Sequence, residues 1–145
     1  MKNDGRINLL KYFPLIFRKN YFILTLILFL VEVIIAAFIH DDFIRPYLGD
    51  VLVVILIYTF ARTFFKIGTW KAIILVLSFA FLVEFFQYWK LIEKLDLQEN
   101  PVARAVIGTS FSRLDLLCYL VGGVIIGIAE FYISKRVLTS YYKEV

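Results

Sequence analysis

Four stretches of the chain, residues 21–39, 48–65, 72–89 and 116–133, are apolar over the about 17–25 residues that a helix needs to cross a hydrocarbon core roughly 30 Å thick. A soluble domain of 145 residues could not hide so much apolar surface, because 61% of the chain is hydrophobic and only 19% charged. Disorder is excluded as well, since a mean hydropathy of +0.82 with 15 Phe and 9 Tyr is the reverse of a disordered composition. The expectation is an all-α, polytopic integral membrane protein: a four-transmembrane-helix bundle forming a single membrane domain over residues 1–145. Ala36-Ala37-Phe38 supplies no small-x-small cleavage site, so the first stretch is expected to stay as a helix rather than leave as a signal peptide.

The formal net charge of +4 would suit a nucleic-acid partner if its placement did not explain it better. With four spans, both termini and the second connection share one side, which holds Lys2, Arg6, Lys11, Arg18, Lys19, Arg62, Lys66, Lys71, Lys135, Arg136 and Lys143. The other side mixes Arg45, Lys90, Lys94, Arg104 and Arg113 with acids from Asp41, Asp42 and Asp50 through Glu84, Glu93, Asp96 and Glu99 to Asp115. Basic residues beside apolar spans mark the cytoplasmic side. The expected location is therefore a bacterial cytoplasmic membrane with both termini cytoplasmic, membrane lipids as partners and no nucleic acid.

Residues 1–20 interleave bases with Ile, Leu, Phe and Tyr, the pattern of a short amphipathic segment lying on the membrane surface, broken at Pro14. The connection over residues 90–114 has room for structure of its own. Asn100-Pro101 resembles a helix start, with Pro near the first helical position, and the apolar run from Val102 to Ile107 stops at Gly108. Too short to span, it predicts an interfacial or partly re-entrant helix on the outer surface.

Ionisable groups within spans cost roughly 2.5–3.5 kcal/mol at mid-helix on insertion scales and are candidates for function. Measured from the outer ends of the expected spans, Asp50 and Asp115 fall at the boundary, Gln87 and Tyr119 just inside, Glu84 at about 7 Å and Glu32 at about 10 Å. Glu84, Gln87 and Tyr88 share one helix face, as do Asp115, Tyr119 and Gly122. These groups form one polar layer, either a closed hydrogen-bonded network or a pocket. Arg62 and Glu130 share a level about 21 Å from the same ends, near the cytoplasm, where they could form an intramembrane ion pair. Gly122, Gly123 and Gly127 would let another helix, or a second copy of the chain, approach closely.

Other chemistries find no support. The single Cys118 rules out an internal disulfide and a cysteine zinc site. His40 beside Asp41 and Asp42 reads as a solvated turn rather than a metal site, and Gly108-Thr109-Ser110 has neither the lysine nor the spacing of a phosphate loop. No cofactor, metal or catalytic residue is expected. Phe85, Phe86, Trp89 and Trp70 fit interface belts and helix packing.

Arg45-Pro46-Tyr47-Leu48-Gly49-Asp50 with Tyr58 and Arg62, then Glu84-Phe85-Phe86-Gln87, Arg104 with Gly108-Thr109-Ser110-Phe111, and Asp115-Leu116-Leu117-Cys118-Tyr119 resemble a bacterial family of small membrane proteins catalogued as domain of unknown function 2809. The second half is also distantly similar to VanZ-like proteins, whose Glu-x-x-Gln and Asp-x-x-x-Asn-x-x-Gly patterns compare with Glu84-x-x-Gln87 and Asp115-x-x-x-Tyr119-x-x-Gly122, Tyr119 standing in place of Asn. The VanZ-like resemblance implies an envelope role of the glycopeptide-resistance type. It supplies no reaction.

The leading expectation is a polar pocket near the outer face, built from Arg45, Asp50, Glu84, Gln87, Arg104, Asp115 and Tyr119, that recognises an anionic lipid-linked or envelope ligand through its arginines. A rival is a small transporter or channel subunit relaying protons or cations along Glu32, Glu84 and Glu130, at the cost of a long apolar gap. A third reading is a structural membrane protein without a ligand.

Overall fold

Unpaired backbone groups are not tolerated in hydrocarbon, so each apolar stretch closes its hydrogen bonds within a helix. The computed structural model describes residues 15–41, 44–107 and 111–143, where six helices follow one another. These are α1 (Lys19–Phe38), α2 (Ile44–Phe64), α3 (Thr69–Tyr88), α4 (Leu91–Lys94), α5 (Pro101–Ile107) and α6 (Arg113–Lys143). Helices α1, α2, α3 and α6 are long and apolar enough to span a membrane. Each begins slightly before the stretch read from sequence, and α6 runs well past residue 133 because no Gly or Pro follows to stop it. Most of the expected N-terminal amphipathic segment, together with Gly108, lies outside the described residues.

The ends of these helices follow local chemistry. Asn100 caps α5, its Oδ1 accepting from the amides of Val102 at 2.9 Å and Ala103 at 3.1 Å, with Pro101 as first helical residue. Ser112 Oγ accepts from the Leu114 amide at 3.2 Å and starts α6. Pro46 falls in the first turn of α2, where a missing N–H removes no helical bond. At the far end of α2 the carbonyls of Phe64 and Thr63 accept from the amides of Ile16 at 2.9 Å and Arg18 at 3.1 Å, so the segment entering α1 satisfies carbonyls that the helix leaves open. The short α4, which the sequence pattern does not announce, follows Lys90 in a left-handed conformation (φ 50°).

Helix α2 is the hub, packing against α1, α3 and α6, while α3 and α6 also pack together. The core between α2, α3 and α6 holds Val54, Tyr58, Ala72, Ile73, Val76, Ala80, Tyr119 and Ile126. Gly122 makes the close α2–α6 approach possible, since a Cβ there would stand 2.9 Å from the Val51 carbonyl oxygen. Among the described residues helix α1 makes its close backbone contacts with α2. Its buried or half-buried residues Tyr21, Thr25, Leu28, Glu32 and Ile35 repeat every three or four positions and face α2, and the rest of its surface is exposed apolar side chain. Neighbouring spans run antiparallel. One end, here the basic end, gathers Arg18, Lys19, Lys66, Lys71, Lys135 and Arg136; the other, the acidic end, gathers Asp41, Asp50, Glu84, Glu93, Asp96, Glu99 and Asp115.

Candidate functional site

At the basic end α1, α2 and α6 meet through one buried cluster. Tyr21 Oη donates to Glu130 Oε1 at 2.5 Å and Tyr58 Oη donates to the same oxygen at 2.8 Å. Arg62 Nη2 lies 3.9 Å from Glu130 Oε2 and donates to Tyr21 Oη at 3.3 Å, while Nη1 donates to the Ile67 carbonyl. The guanidinium also sits over the Tyr21 and Tyr58 rings, at 5.2 and 5.9 Å from their centroids, an added cation–π attraction. One turn further in, Thr25 Oγ1 donates to Thr59 Oγ1 at 3.0 Å. Charges paired and hydrogen-bonded in this way fix helix geometry. Sequence reasoning identifies Arg62 and Glu130 as a pair but leaves Tyr21, Tyr58, Thr25 and Thr59 out of the site; the i, i+4 spacing of Tyr21 with Thr25 and of Tyr58 with Arg62 is the signal that could have found the tyrosines.

At the acidic end a second polar level forms, reached within about 9 Å of the ends of α1, α2, α3 and α6. Tyr119 Oη donates to Glu84 Oε1 at 2.9 Å, and Glu84 is only 2% exposed. Glu84 Oε2 and Glu32 Oε1 are buried with no hydrogen-bond partner. Asp115 comes within hydrogen-bonding reach of Asp50, and Glu84 and Glu32 lie close enough to Asp50 to interact with it electrostatically. A cavity of about 490 Å³ opens at this level, walled by Glu32, Gly49, Asp50, Gln87 and Tyr119 together with Val53, Ile57, Phe79, Ala80 and Val83.

The cavity exists because of how α1 is held. On one side of α2, Tyr21 and Glu130 tie α1 to α6. Among the described residues neither α3 nor α6 makes a close backbone approach to α1, and the cavity occupies the slot left over α2 between α1 and these two helices. A separate apolar groove of about 360 Å³ lies between α1 and α2, lined by Phe22, Thr25, Leu26, Phe29, Leu56, Ile57 and Phe60. Ile57 borders both, and Gly49, Val53, Leu56 and Phe60 form one stripe of α2 along them.

Of the residues singled out from sequence, Asp50, Gln87 and Tyr119 reach the cavity wall, and Glu84 and Asp115 stand next to it. Arg45 and Arg104 do not. Arg45 is exposed in the first turn of α2, one turn from Gly49 toward the acidic-end boundary, and Arg104 is exposed on α5. Tyr88 does not share the inward face of Glu84 and Gln87, being 66% exposed with its ring edge against Phe111. Gly122 and Gly123 are taken up within the chain, against α2 and against Leu77 of α3. Gly127 borders an apolar groove of about 870 Å³ with Trp70 and Phe131. His40 is exposed with Nδ1 3.2 Å from the Phe38 carbonyl oxygen.

Four spans joined by buried polar side chains at two levels define a multi-pass α-helical membrane protein. Within that class, the chain belongs to the family described as Protein of unknown function (DUF2809), which it matches over residues 39–123. The matched segment contains Arg45, Asp50, Glu84, Gln87, Arg104, Asp115 and Tyr119, and leaves out Tyr21, Glu32 and Glu130. Neither the curated proteins nor the solved structures include a match.

Proposed function

We propose that this protein binds an amphiphilic ligand, a membrane lipid or lipid-linked envelope molecule, whose head group enters the acidic-end cavity sideways between α1 and α3. The observation that carries this reading is that a carboxylate-lined cavity and an apolar groove adjoin at Ile57, along the stripe of α2 from Gly49 to Phe60. That stripe is about 16 Å long, the scale of an acyl chain. A water-borne ligand would not need the groove. The head would meet Glu32, Asp50, Gln87 and Tyr119, and Arg45 at the rim would take an anionic group of the same molecule.

Charge placement supports an acidic end outside a bacterial cytoplasmic membrane and both termini in the cytoplasm, which would put the cavity in the outer leaflet. An envelope role of the kind the VanZ-like resemblance implies fits that side. The ion-relay alternative is less well supported. Between the two polar levels lie Val54, Val76, Ala80 and Ile126, all buried and apolar, and Glu130 is already held by Tyr21, Tyr58 and Arg62.

Gly49→Leu tests the reading, because a Cβ at Gly49 points toward Glu32 Oε2, 3.8 Å away, and a longer side chain would fill the slot without changing its charge. Lipid co-purifying with the chain, read by native mass spectrometry, should fall sharply in this variant while its elution and helicity match the parent. Equal lipid retention in both would overturn the proposal.

A further inference from the structure

The charge of the cavity wall says more about the ligand than its shape does. The carboxylates that reach the space are those of Glu32 and Asp50, and behind Asp50 stand Glu84 and Asp115. Among the described residues no Lys, Arg or His lines it. Of the wall's own carboxylate oxygens, Glu32 Oε1 is buried without a hydrogen-bond partner, and Glu84, 2% exposed, adds its charge from behind the wall. Buried carboxylates without donors are costly and call for a positively charged or donor-rich partner. A phosphate or carboxylate placed here would add like charge to that cost.

A metal ion answers the charge but not the geometry, since among the described residues no three His, Cys, Asp or Glu side chains converge as a metal site requires. The acids are instead spread over α1, α2, α3 and α6 around a space of about 490 Å³. An ammonium group, with three N–H donors directed apart, can reach carboxylates on different helices at once. The apolar side chains of Val53, Ile57 and Phe79 in the same wall suit the methylenes next to it. Arg45 lies about 6 Å along α2 from Gly49, toward the membrane boundary.

From this juxtaposition, and resting on the lateral-binding reading above, we infer that the slot selects a zwitterionic amphiphile: its ammonium among Glu32 and Asp50, its phosphate at Arg45 and its chain along the α1–α2 groove. The anionic ligand expected from the arginines is thereby narrowed to one that also carries a positive charge.

The test gives the purified full chain in detergent equal amounts of phosphatidylethanolamine, its N-acetyl derivative and phosphatidylglycerol, with bound lipid read by native mass spectrometry. Acetylation removes the charge and leaves the rest of the lipid in place. Phosphatidylethanolamine should be preferred over the N-acetyl form by about tenfold, the factor that one charge-assisted hydrogen bond supplies. Glu32→Gln and Asp50→Asn, both close to isosteric, should each erase that preference. Equal retention of all three lipids, with binding still lost in Gly49→Leu, would overturn the ammonium assignment and leave the slot standing. A preference that survives both carboxamide variants would also overturn it, because the discrimination would then arise elsewhere. Lipid retention indifferent to Gly49→Leu would remove the lateral-binding reading and the ammonium assignment together.

Discussion

Gly122 is where one added carbon would be felt most. Its Cβ would stand 2.9 Å from the Val51 carbonyl oxygen and 3.1 Å from Val54 Cβ, and a backbone oxygen inside a helix cannot step aside. Gly122→Ala should therefore destabilise the fold by about 1–3 kcal/mol, the usual cost of overpacking. At Gly127 the nearest atom is the Trp70 ring at 4.0 Å, so Gly127→Ala should be neutral or slightly stabilising. Thermal unfolding of the two variants in detergent, side by side, checks the contrast. The Tyr119–Glu84 bond allows a similar comparison. Tyr119→Phe removes the hydroxyl that donates to Glu84 Oε1, at a cost of about 1–3 kcal/mol for a buried polar group left unpaired. Glu84→Gln keeps an acceptor for the tyrosine and should cost less, and the ordering of the two melting temperatures decides.

The attachment of α1 is set by few contacts, and their removal should be visible at the scale of the helix. Most of its surface is apolar side chain turned outward, and its polar ties are Tyr21 to Glu130 and Thr25 to Thr59. Tyr21→Phe takes the 2.5 Å donor from Glu130 and the hydroxyl that accepts from Arg62, which should loosen α1 while α2, α3 and α6 keep their shared core. Amide hydrogen exchange should then rise along α1 and stay unchanged in α3; a uniform rise would mean that the cluster holds the whole bundle instead. The spans themselves could be read from sequence because the thickness of the bilayer fixes their length. Which way each span turns is harder to read, since a helix that is apolar all round gives its hydrophobic residues no preferred face. In such a helix the polar residues carry the information: Tyr21, Thr25 and Glu32 lie on one stripe, and that stripe is the side that meets α2. Depth along the membrane could likewise be counted, which is why Asp50, Glu84, Asp115 and Tyr119 come out at one level. Arg45 and Arg104 share that end of the molecule but not the cavity wall, because Arg45 stands one turn beyond Gly49 toward the boundary and level alone does not fix the path of the long connection that carries Arg104.

For the molecule as a whole, the sorting of charge is a statement about which end faces the cytoplasm. The connection between α2 and α3 carries Lys66, and Lys71 follows in the first turns of α3; the long connection between α3 and α6 carries Glu93, Asp96 and Glu99. Bases resist translocation while acids contribute little to topology, so the short basic connection should remain inside and the acidic one should cross. Single cysteines placed in a Cys118→Ser background report this directly. Lys66→Cys and Gln98→Cys both change exposed residues in connections rather than in spans. In intact bacterial cells expressing the protein, a membrane-impermeant maleimide should label Gln98→Cys and spare Lys66→Cys, and permeabilised cells should give labelling of both. The opposite pattern would put the carboxylate-lined cavity in the inner leaflet, where it would meet a different set of lipids. The slot, the groove and the ammonium selectivity argued from them would be unchanged, because they depend on where α1, α2 and α3 stand relative to one another and not on which compartment lies above them.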